Sequence, residues 1–509
     1  MSYLDSRLPP LDKVDSDMWV DEAIWGHMLY DEQSPWLIYL EFLNVFLDQD
    51  AKGVGLIEAN GFNRLKYHAR WRLELRNVLF NSPQLQQIRH SSLSDQFRWS
   101  AWHKSMATAG GIEQPDFAYL QKRFHTFDDF ADVVEIIRAG AVEATTNKRW
   151  TSKYVFPYGP DCIFEDLDQN ARTNDRHFFR RTGELLYLIL CRSRRSADVL
   201  RLLKPQLTDD SAPWNRIVKL LQPEDASNRG ADRANAFLPY ASHPSYDALA
   251  EDWVTILGLK MPGYDSLIHL VNLAAFHLIQ YQLRVARDVA GITGPFKIVC
   301  EVVAPKKTLV REVSCELYQE NNLLPGLAVI SYIDAIENSP EWREAKTQSD
   351  SFVRCKAILE KQVRWGEDYD EASNPDDLIG RLRMSAKKRH QQHVARIHRN
   401  YGREVGLVSK RGTNKLRYAP TDGFLKALIF ANVPHRLELH RFLALLWERY
   451  SLIFGDREAE AVLVKDEFEK KAFQANARRL EQRLASLGLL KRLSDGCAYV
   501  LNPHAQTGS

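Results

Sequence analysis

The chain has 509 residues, of which 45% are hydrophobic and 26% are charged. A single hydrophobic core stops growing at roughly 250–300 residues, so this length predicts more than one domain. The apolar content, together with 12 tryptophans, excludes a disordered or low-complexity protein. The first ten residues lack the apolar core of a secretory signal, and no apolar run reaches the ~18 residues of a membrane helix. We therefore expect a cytoplasmic protein that does not bind a membrane.

The six cysteines are scattered along the chain, and no two of them form a CxxC pair. A long chain with so few cysteines predicts neither a disulfide framework nor a structural zinc site. We accordingly expect no metal and no cofactor.

Charge is distributed unevenly between the two ends of the chain. Residues 376–509, the basic tail, contain 25 Lys/Arg and 14 Asp/Glu, whereas residues 1–375 contain 43 and 52. Residues 1–60, the acidic head, contain 12 Asp/Glu and three Lys/Arg. This asymmetry favours an anionic partner for the tail, most commonly a nucleic acid. The alternative is that head and tail attract each other, within one chain or between copies.

In chain order, residues 1–145 form a predicted N-terminal helical domain, because apolar residues recur at helical spacing. Residues 146–295 form a predicted central helical domain that opens with a strand near residues 150–160. Within it, residues 205–245 are rich in Pro, Asp and Asn, which predicts a long loop or an interdomain connection. Strong helical periodicity returns after that loop.

Residues 296–375 are predicted to form a mixed α/β segment. Two short apolar runs, 296–303 and 327–333, have the length and composition of strands. This segment is the small β-rich part of an otherwise helical protein.

Residues 376–418 are interpreted as a basic arm, since positions 381–417 contain 12 Lys/Arg and one acidic residue, Glu404. The first half of the arm is predicted to be helical. Three histidines, His390, His393 and His398, would add charge at lower pH. Cations this dense would repel one another unless an anion neutralised them, which favours binding to phosphates. The alternative is a solvated linker. The candidate phosphate-binding residues of the arm are Arg381, Arg383, Lys387, Lys388, Arg389, Arg396, Arg399, Lys410, Arg411, Lys415 and Arg417.

Residues 419–503 carry the most informative pattern. Helices are predicted at 424–430 and 437–450, and a third is predicted from an N-cap at Asp466 to Leu487. Gly488 would end that helix, and the Asp-Gly turn at 495–496 predicts a hairpin. Three helices followed by a hairpin are typical of a winged helix, although winged helices also serve as protein-binding modules.

The third helix of this module has two different faces. Phe473, Ala477, Leu480, Leu484 and Leu487 fall on one side and are predicted to enter the core. The polar side would contact nucleic acid, since Arg and Gln can bind the edges of G and A, and Lys can bind phosphates. Any solvated helix also has such a side. The candidate residues of the module are Lys471, Gln474, Arg478, Arg479 and Gln482, with Lys491 and Arg492 at the start of the hairpin.

The common catalytic motifs GxxxxGK[ST], HExxH, GxSxG and GxGxxG are absent from the chain. Two weaker patterns leave a nuclease open as an alternative. Arg172 and His177 form an RxxxxH spacing that resembles the short motif of HEPN ribonucleases. An acidic cluster follows the predicted strand and has the ligand type that Mg²⁺ prefers; it comprises Glu165, Asp166, Asp168 and Asp175.

Five stretches of the chain resemble one group of proteins. They are KRWTSKYVFPYGPD at 148–161, FFRRTGELLYLIL at 178–190, RYAPTDGFLKALIFANV at 417–433, LLWERYSLIFGDREAE at 445–460 and NARRLEQRLASLGLLKRLSDGCAYVLNP at 476–503. These stretches, together less than a quarter of the chain, resemble uncharacterised accessory proteins of bacterial anti-phage defence islands. The resemblance implies a subunit of a multi-protein, DNA-directed defence system and brings no catalytic residues with it.

Together these observations predict a mainly α, multidomain protein with a small β-rich segment and a C-terminal winged-helix-like domain. The predicted function is a non-enzymatic subunit that binds DNA or RNA and assembles with other protein subunits, among which a helicase or nuclease would supply the chemistry. Two alternatives remain: a nuclease with an unrecognised active site, and a pure protein–protein scaffold.

Overall fold

A computed structural model describes most of the chain. The described residues are 18–27, 29–58, 65–82, 84–109, 112–143, 153–165, 180–224, 229–259, 261–305, 307–363, 372–410, 415–494 and 497–505. Within these ranges the protein is mainly helical and carries several small sheets. The mainly α prediction is therefore confirmed.

The helices, in chain order, are α1 Val20–Trp25, α2 Pro35–Ala51, α3 Leu73–Phe80, α4 Leu85–Arg89, α5 Asp95–Met106, α6 Ala118–Arg123, α7 Phe127–Ala139, α8 Thr182–Cys191, α9 Ser196–Leu207, α10 Pro213–Leu220, α11 Pro244–Gly258, α12 Gly263–Val289, α13 Leu309–Glu337, α14 Pro340–Thr347, α15 Ser351–Gln362, α16 Pro375–Gln392, α17 Val394–Glu404, α18 Asp422–Asn432, α19 Leu439–Tyr450, α20 Asp456–Val462 and α21 Lys470–Ser486. The strands are β1 Leu65–Arg70, β2 Val142–Glu143, β3 Lys153–Tyr154, β4 Gly230–Ala236, β5 Ile298–Val299, β6 Val408–Ser409, β7 Arg417–Tyr418, β8 Arg436–Glu438, β9 Leu452–Ile453, β10 Leu490–Ser494 and β11 Cys497–Leu501.

The chain divides into two compact units. Unit 1 comprises Met1–Asp31, Arg192–Val199 and Phe237–Ser509, and unit 2 comprises Glu32–Cys191 and Leu200–Ala236. The acidic head is thus divided between the units, whereas the whole basic tail belongs to unit 1.

Unit 2 is organised by α2 and α8, which pack together along their lengths. Ser34 caps α2 by accepting a hydrogen bond from the amide of Leu37, and Pro35 occupies the first turn, where it costs no hydrogen bond. Beside them, β1 and β4 form an antiparallel pair. The strand predicted near 150–160 is present as β3, which pairs with β2.

Unit 1 is built around two long helices, α12 and α13, which pack against each other and against α1, α11, α16, α17 and α18. Thr308 caps α13 by accepting a hydrogen bond from the amide of Arg311. At this end of α13, Val310, Val313 and Leu317 pack into a buried cluster with Phe473 of α21. The C-terminal elements therefore share a core with the helical body of unit 1.

The prediction of a strand at 327–333 is wrong. The run 327–333 is part of α13, where Ala328, Val329 and Ile333 occupy the buried side of the helix and not one face of a strand. The first run, 296–303, does contain a strand, β5, but this is only two residues long and pairs in parallel with β9.

Residues 205–245 are predicted to form a long loop or an interdomain connection. The boundary between units 1 and 2 does fall within this range, between Ala236 and Phe237, but the prediction of a loop is wrong for about half of the range. It contains the end of α9, all of α10, all of β4 and the start of α11. The prolines of this range predict a loop, but Pro213 and Pro244 stand in the first turns of α10 and α11, where proline favours the start of a helix.

The C-terminal pattern is largely confirmed at the level of its elements. Helices α18, α19 and α21 cover the three predicted helices, and Gly488 takes a positive φ of 71° where α21 was expected to end. β10 and β11 form the predicted hairpin, and β8 adds a third strand in the order β10–β11–β8. The predicted N-cap at Asp466 is wrong, because Asp466 lies in a turn and Glu469 occupies the N-cap position.

Within the described ranges, every helix is too short or too polar to span a membrane.

Candidate nucleic-acid interface

The basic arm folds mostly as α16 and α17. Asn374 caps α16 by accepting a hydrogen bond from the amide of Asp377, and Pro375 begins the helix. Leu378, Ile379 and Leu382 form its buried side, and the helix packs along α13. The helical prediction for the first half of the arm is confirmed.

Two arginines at the start of α16 are held by nearby carboxylates. Arg381 pairs with Asp377 one turn earlier, at 3.3 Å between Nε and Oδ1. Arg383 donates to Asp334 of α13 at 2.7 Å and also pairs with Glu337. Neutralisation of these two arginines therefore comes from within unit 1.

Arg389 is held by the acidic head. Its guanidinium donates to Glu22 at 3.1 Å and approaches Asp21 at 3.4 Å, and it lies 4.3 Å from the ring centroid of Trp19. Four residues further on, the Nδ1 atom of His393 lies 3.1 Å from Asp31. Part of the head thus binds part of the tail within one unit of one chain.

Arg417 is fully buried. It donates through Nε to Glu301, whose other carboxylate oxygen accepts from Nε of Arg311 at 2.8 Å. The Arg417 and Glu301 side chains are both 0% exposed. Arg417 therefore cannot reach a nucleic acid from this position, and its prediction as a contact residue is wrong.

The three histidines of the arm differ in burial, since His390 and His398 are buried and His393 is only partly buried. Burial lowers the pKa of His398 to about 3 and also lowers the pKa of His390. The Nε2 atom of His398 lies 3.0 Å from the hydroxyl of Tyr418 in the core. The expectation that both residues add charge at moderately low pH is wrong, because burial opposes their protonation.

The other basic residues of the arm that the structure describes point to solvent. Lys387, Lys388, Arg396 and Lys410 are exposed and form no ion pair within the described ranges. Arg399 and Lys415 are exposed too, and Arg399 donates to Asn400. Arg411 lies outside the described residues. The accessible charge of the arm is therefore smaller than its composition implies.

On α21, the polar side is divided between solvent and the interior. Lys471, Arg478 and Gln482 are exposed at spacings of seven and four residues, which places them in one stripe along the helix. On the opposite side, Phe473, Leu480 and Leu484 are buried as predicted, whereas Ala477 and Leu487 are only partly buried.

The two remaining candidates on α21 bind neighbouring parts of unit 1. Gln474 donates to Asp456 of α20 at 3.0 Å. Arg479 donates through Nε to the carbonyl oxygen of Val302 at 3.2 Å. Both side chains are partly buried, so the prediction from the helical projection that they face solvent is wrong.

Asn476 is a buried residue of α21 that the sequence analysis missed. Its amide donates to the carbonyls of Cys300 and Phe454 at 2.9 and 3.0 Å and accepts from the amide of Val302 at 2.8 Å. These bonds anchor α21 to the segment around β5. A polar residue between apolar positions is a signal for such a bond, but it does not name the partner.

Lys491 and Arg492 on β10 are both exposed. Arg492 lies 3.5 Å from Glu481 of α21, with 58% of its side chain exposed. The hairpin thus carries two accessible cations on the strand that follows α21.

Most of the nuclease candidates lie outside the described residues. These are Asp166, Asp168, Arg172, Asp175 and His177. Glu165 is described and is fully buried in unit 2, where it accepts hydrogen bonds from Trp71 at 3.0 Å and Arg233 at 2.8 Å. Both of its oxygens are therefore used in the interior, where they hold β4 and the residue after β1.

Unit 2 also contains a pair of buried carboxylates, Glu41 and Glu184. Glu41 accepts from the amides of Arg181 and Gly183 at the start of α8, at 2.8 and 2.7 Å. Glu184 accepts from Arg181 and from the hydroxyl of Tyr67. Burial and the neighbouring Glu184 raise the pKa of Glu41. These hydrogen bonds give the pair a structural role, in capping α8 and binding β1.

Comparison of the chain with protein-family models, curated proteins and solved structures found no match.

Proposed function

We propose that this protein is a non-enzymatic nucleic-acid-binding subunit that holds duplex DNA with the exposed stripe of α21 and the β10–β11 hairpin. The single observation that carries the proposal is the stripe Lys471, Arg478 and Gln482, which is exposed on a helix directly followed by a hairpin with two further cations.

The order of the C-terminal elements supports this proposal. Helix α18, strand β8, helix α19, helix α21 and the β10–β11 hairpin follow one another as in a winged helix, with β9 and α20 inserted before α21. The central position of β11 between β10 and β8 agrees with such a module. In DNA-binding helix-turn-helix proteins the corresponding helix enters the major groove, where Arg and Gln can read base edges.

The exposed cations of the arm would add contacts to phosphates. Lys387, Lys388, Arg396, Arg399, Lys410 and Lys415 are the residues that support this part of the proposal. Phosphate contacts give affinity without sequence preference, whereas contacts of Arg478 and Gln482 with bases would give preference. Partner subunits, such as a helicase or nuclease of a bacterial defence complex, would supply the chemistry.

The test is fluorescence-anisotropy binding of the full chain to duplex DNA, single-stranded DNA and RNA at several salt concentrations. We expect Arg478→Ala to weaken duplex binding by about 1–3 kcal/mol, because a bidentate base contact is lost. Arg343→Ala is the matched control, since Arg343 is an exposed arginine on α14, away from the proposed contacts. Equal affinities of wild type, Arg478→Ala and Arg343→Ala would contradict the proposed interface.

A second candidate function is a scaffold in which the tail is occupied by the head. The contacts of Arg389 with Asp21 and Glu22 and of His393 with Asp31 favour it. This candidate predicts that the full chain binds no nucleic acid and that Asp21→Asn with Glu22→Gln creates binding. Binding by the wild-type chain, unchanged by these substitutions, would exclude the scaffold.

A further inference from the structure

Three arginines from separate segments of unit 1 gather around one glutamate. Arg311 comes from the first turn of α13, Arg417 from β7 and Arg479 from α21. The glutamate is Glu301, and Arg479 lies beside it, since its Nε donates to the carbonyl oxygen of Val302, the next residue. We call these four residues the Glu301 cluster. Lys415 stands two residues before Arg417 on the same segment and is exposed.

The carboxylate of Glu301 is fully used by two of the three arginines. One oxygen accepts from Nε of Arg311 at 2.8 Å, and the other accepts from Nε of Arg417. Arg311 also donates to the carbonyl oxygen of Ala304 at 2.6 Å. Among the described residues of the cluster, one carboxylate therefore stands against three guanidinium groups, of which Arg417 is fully buried, Arg311 is mostly buried and Arg479 is partly buried. Unbalanced charge is costly where it is buried.

Among the described residues, Arg479 is the arginine of the cluster that forms no ion pair with a carboxylate. Its Nε donates to the carbonyl oxygen of Val302, and its Nη2 is buried with no hydrogen-bond partner among the described residues. A buried donor without a partner is destabilising, and more so when the group is charged. The Glu301 cluster thus lacks an acceptor that carries negative charge.

We propose that the Glu301 cluster binds a phosphate group, with Arg479 and Arg311 as its main ligands and Lys415 at its solvent side. A phosphate oxygen offers the charge and the acceptor that Arg479 lacks, and guanidinium groups bind phosphate in a bidentate manner. A phosphate approaches from the solvent side, because 11% of the Arg311 side chain is exposed, Arg479 is only partly buried and Lys415 is exposed. Binding then requires the Arg479 guanidinium to turn its buried Nη2 toward the phosphate.

The phosphate can belong to a nucleic-acid backbone or to a free phosphate. The first source rests on the proposed function, since Arg479 directly follows Arg478 of the exposed stripe and Lys415 belongs to the basic arm. The site itself requires only the phosphate group, so it is testable with inorganic phosphate in the absence of nucleic acid.

The experiment is thermal unfolding of the full chain in increasing inorganic phosphate, with sodium chloride adjusted to keep the ionic strength constant. We expect a rise in Tm on the order of 2–4 °C at about tenfold excess over Kd, continuing with the logarithm of the phosphate concentration, because a ligand of the native state stabilises it by mass action. Arg479→Gln should abolish this rise. Arg457→Gln is the charge-matched control, because Arg457 is exposed on α20 and should retain it.

A second variant keeps the proposal testable if Arg479→Gln does not fold. Lys415→Gln alters an exposed side chain, so it should fold normally, and its Tm should begin to rise only at a several-fold higher phosphate concentration. Equal Tm responses of wild type, Arg479→Gln and Lys415→Gln, or no response of the wild type to phosphate, would overturn the proposal.

Duplex binding of the same variants identifies the source of the phosphate. Weaker duplex binding by Arg479→Gln, with competition by inorganic phosphate, would assign the site to the nucleic-acid backbone. Unchanged duplex binding beside a lost phosphate response would assign it to a free phosphate. If the wild type binds phosphate but no nucleic acid, the proposed function fails while the phosphate site stands.

Discussion

Arg417 and Glu301 form an ion pair in which both side chains are completely excluded from solvent. A third residue, Arg311, completes the arrangement by donating to the second oxygen of Glu301. Removal of one partner from a buried pair leaves an uncompensated charge, which typically costs more than the pair contributes.

We therefore expect Arg417→Met to lower the free energy of unfolding of unit 1 by about 3–5 kcal/mol. Chemical denaturation followed by tryptophan fluorescence measures this change. Lys410→Met is the control, because Lys410 is exposed and surface substitutions usually change stability by less than about 0.5 kcal/mol. Equal stabilities of the two variants would show that Arg417 is not buried as described.

Asp252 of α11 connects three helices of unit 1, since its partners lie on α12 and α19. It is fully buried and accepts from His277 at 2.8 Å, from Arg449 at 2.7 Å and from the hydroxyl of Tyr450 at 2.8 Å. Asp252→Asn should destabilise unit 1 by about 3–5 kcal/mol, since an amide removes the charge that balances Arg449.

The neighbouring residue provides the control for Asp252. Glu251 also binds Arg449, at 3.2 Å, but 46% of its side chain is exposed, so Glu251→Gln should cost less than about 1 kcal/mol. Thermal unfolding of both variants makes the comparison. A cost for Glu251→Gln equal to that for Asp252→Asn would contradict the role given to burial.

Three buried histidines should make unit 1 sensitive to acid. Burial lowers the pKa of His243 to about 3, of His269 to about 4 and of His398 to about 3. Because the unfolded chain binds protons near pH 6.5 and the folded chain does not, stability is full above that pH and falls as the pH drops toward 4.

The expected slope is at most about 1.4 kcal/mol per pH unit for each histidine. Urea denaturation at pH 7, 6 and 5 measures it, and His398→Phe should reduce the slope by one histidine's share. A slope identical in wild type and variant would show that His398 ionises alike in the folded and unfolded states.

Lys387 and Lys388 on α16 should bind phosphates if the proposed function holds. The double substitution to Ala should reduce the magnitude of the slope of log K against log salt for duplex DNA by about 2, because each lost phosphate contact removes about 0.9. Anisotropy titrations between roughly 50 and 200 mM salt measure this slope. An unchanged slope would remove α16 from the interface, whereas the stripe on α21 would remain to be tested by Arg478→Ala.

Asn476 should be more important for stability than its neighbours on α21. Asn476→Ala removes three hydrogen bonds and leaves two carbonyls and one amide near β5 without a partner, at a cost of about 2–4 kcal/mol. Gln482→Ala, on the exposed stripe, should change stability by less than about 0.5 kcal/mol. Equal losses in the two variants, measured by chemical denaturation, would contradict the anchoring role.

Local patterns in the sequence determined much of the secondary structure. The helical class, the three C-terminal helices, the hairpin and the glycine after α21 follow from apolar periodicity and turn chemistry, which act over a few residues. The strand predicted at 327–333 failed because a short apolar run suits a buried helix as well as a strand, and only packing decides between them.

Tertiary structure decided which charges remain free. From composition alone, the cations of the basic arm are equivalent. In the structure, four of its arginines form ion pairs with carboxylates of unit 1, namely Arg381, Arg383, Arg389 and Arg417. Lys387 and Lys388, in contrast, are exposed. These carboxylates lie between four and 368 residues away along the chain. Most such pairs form only when the fold brings distant segments together, and composition carries no information about that distance.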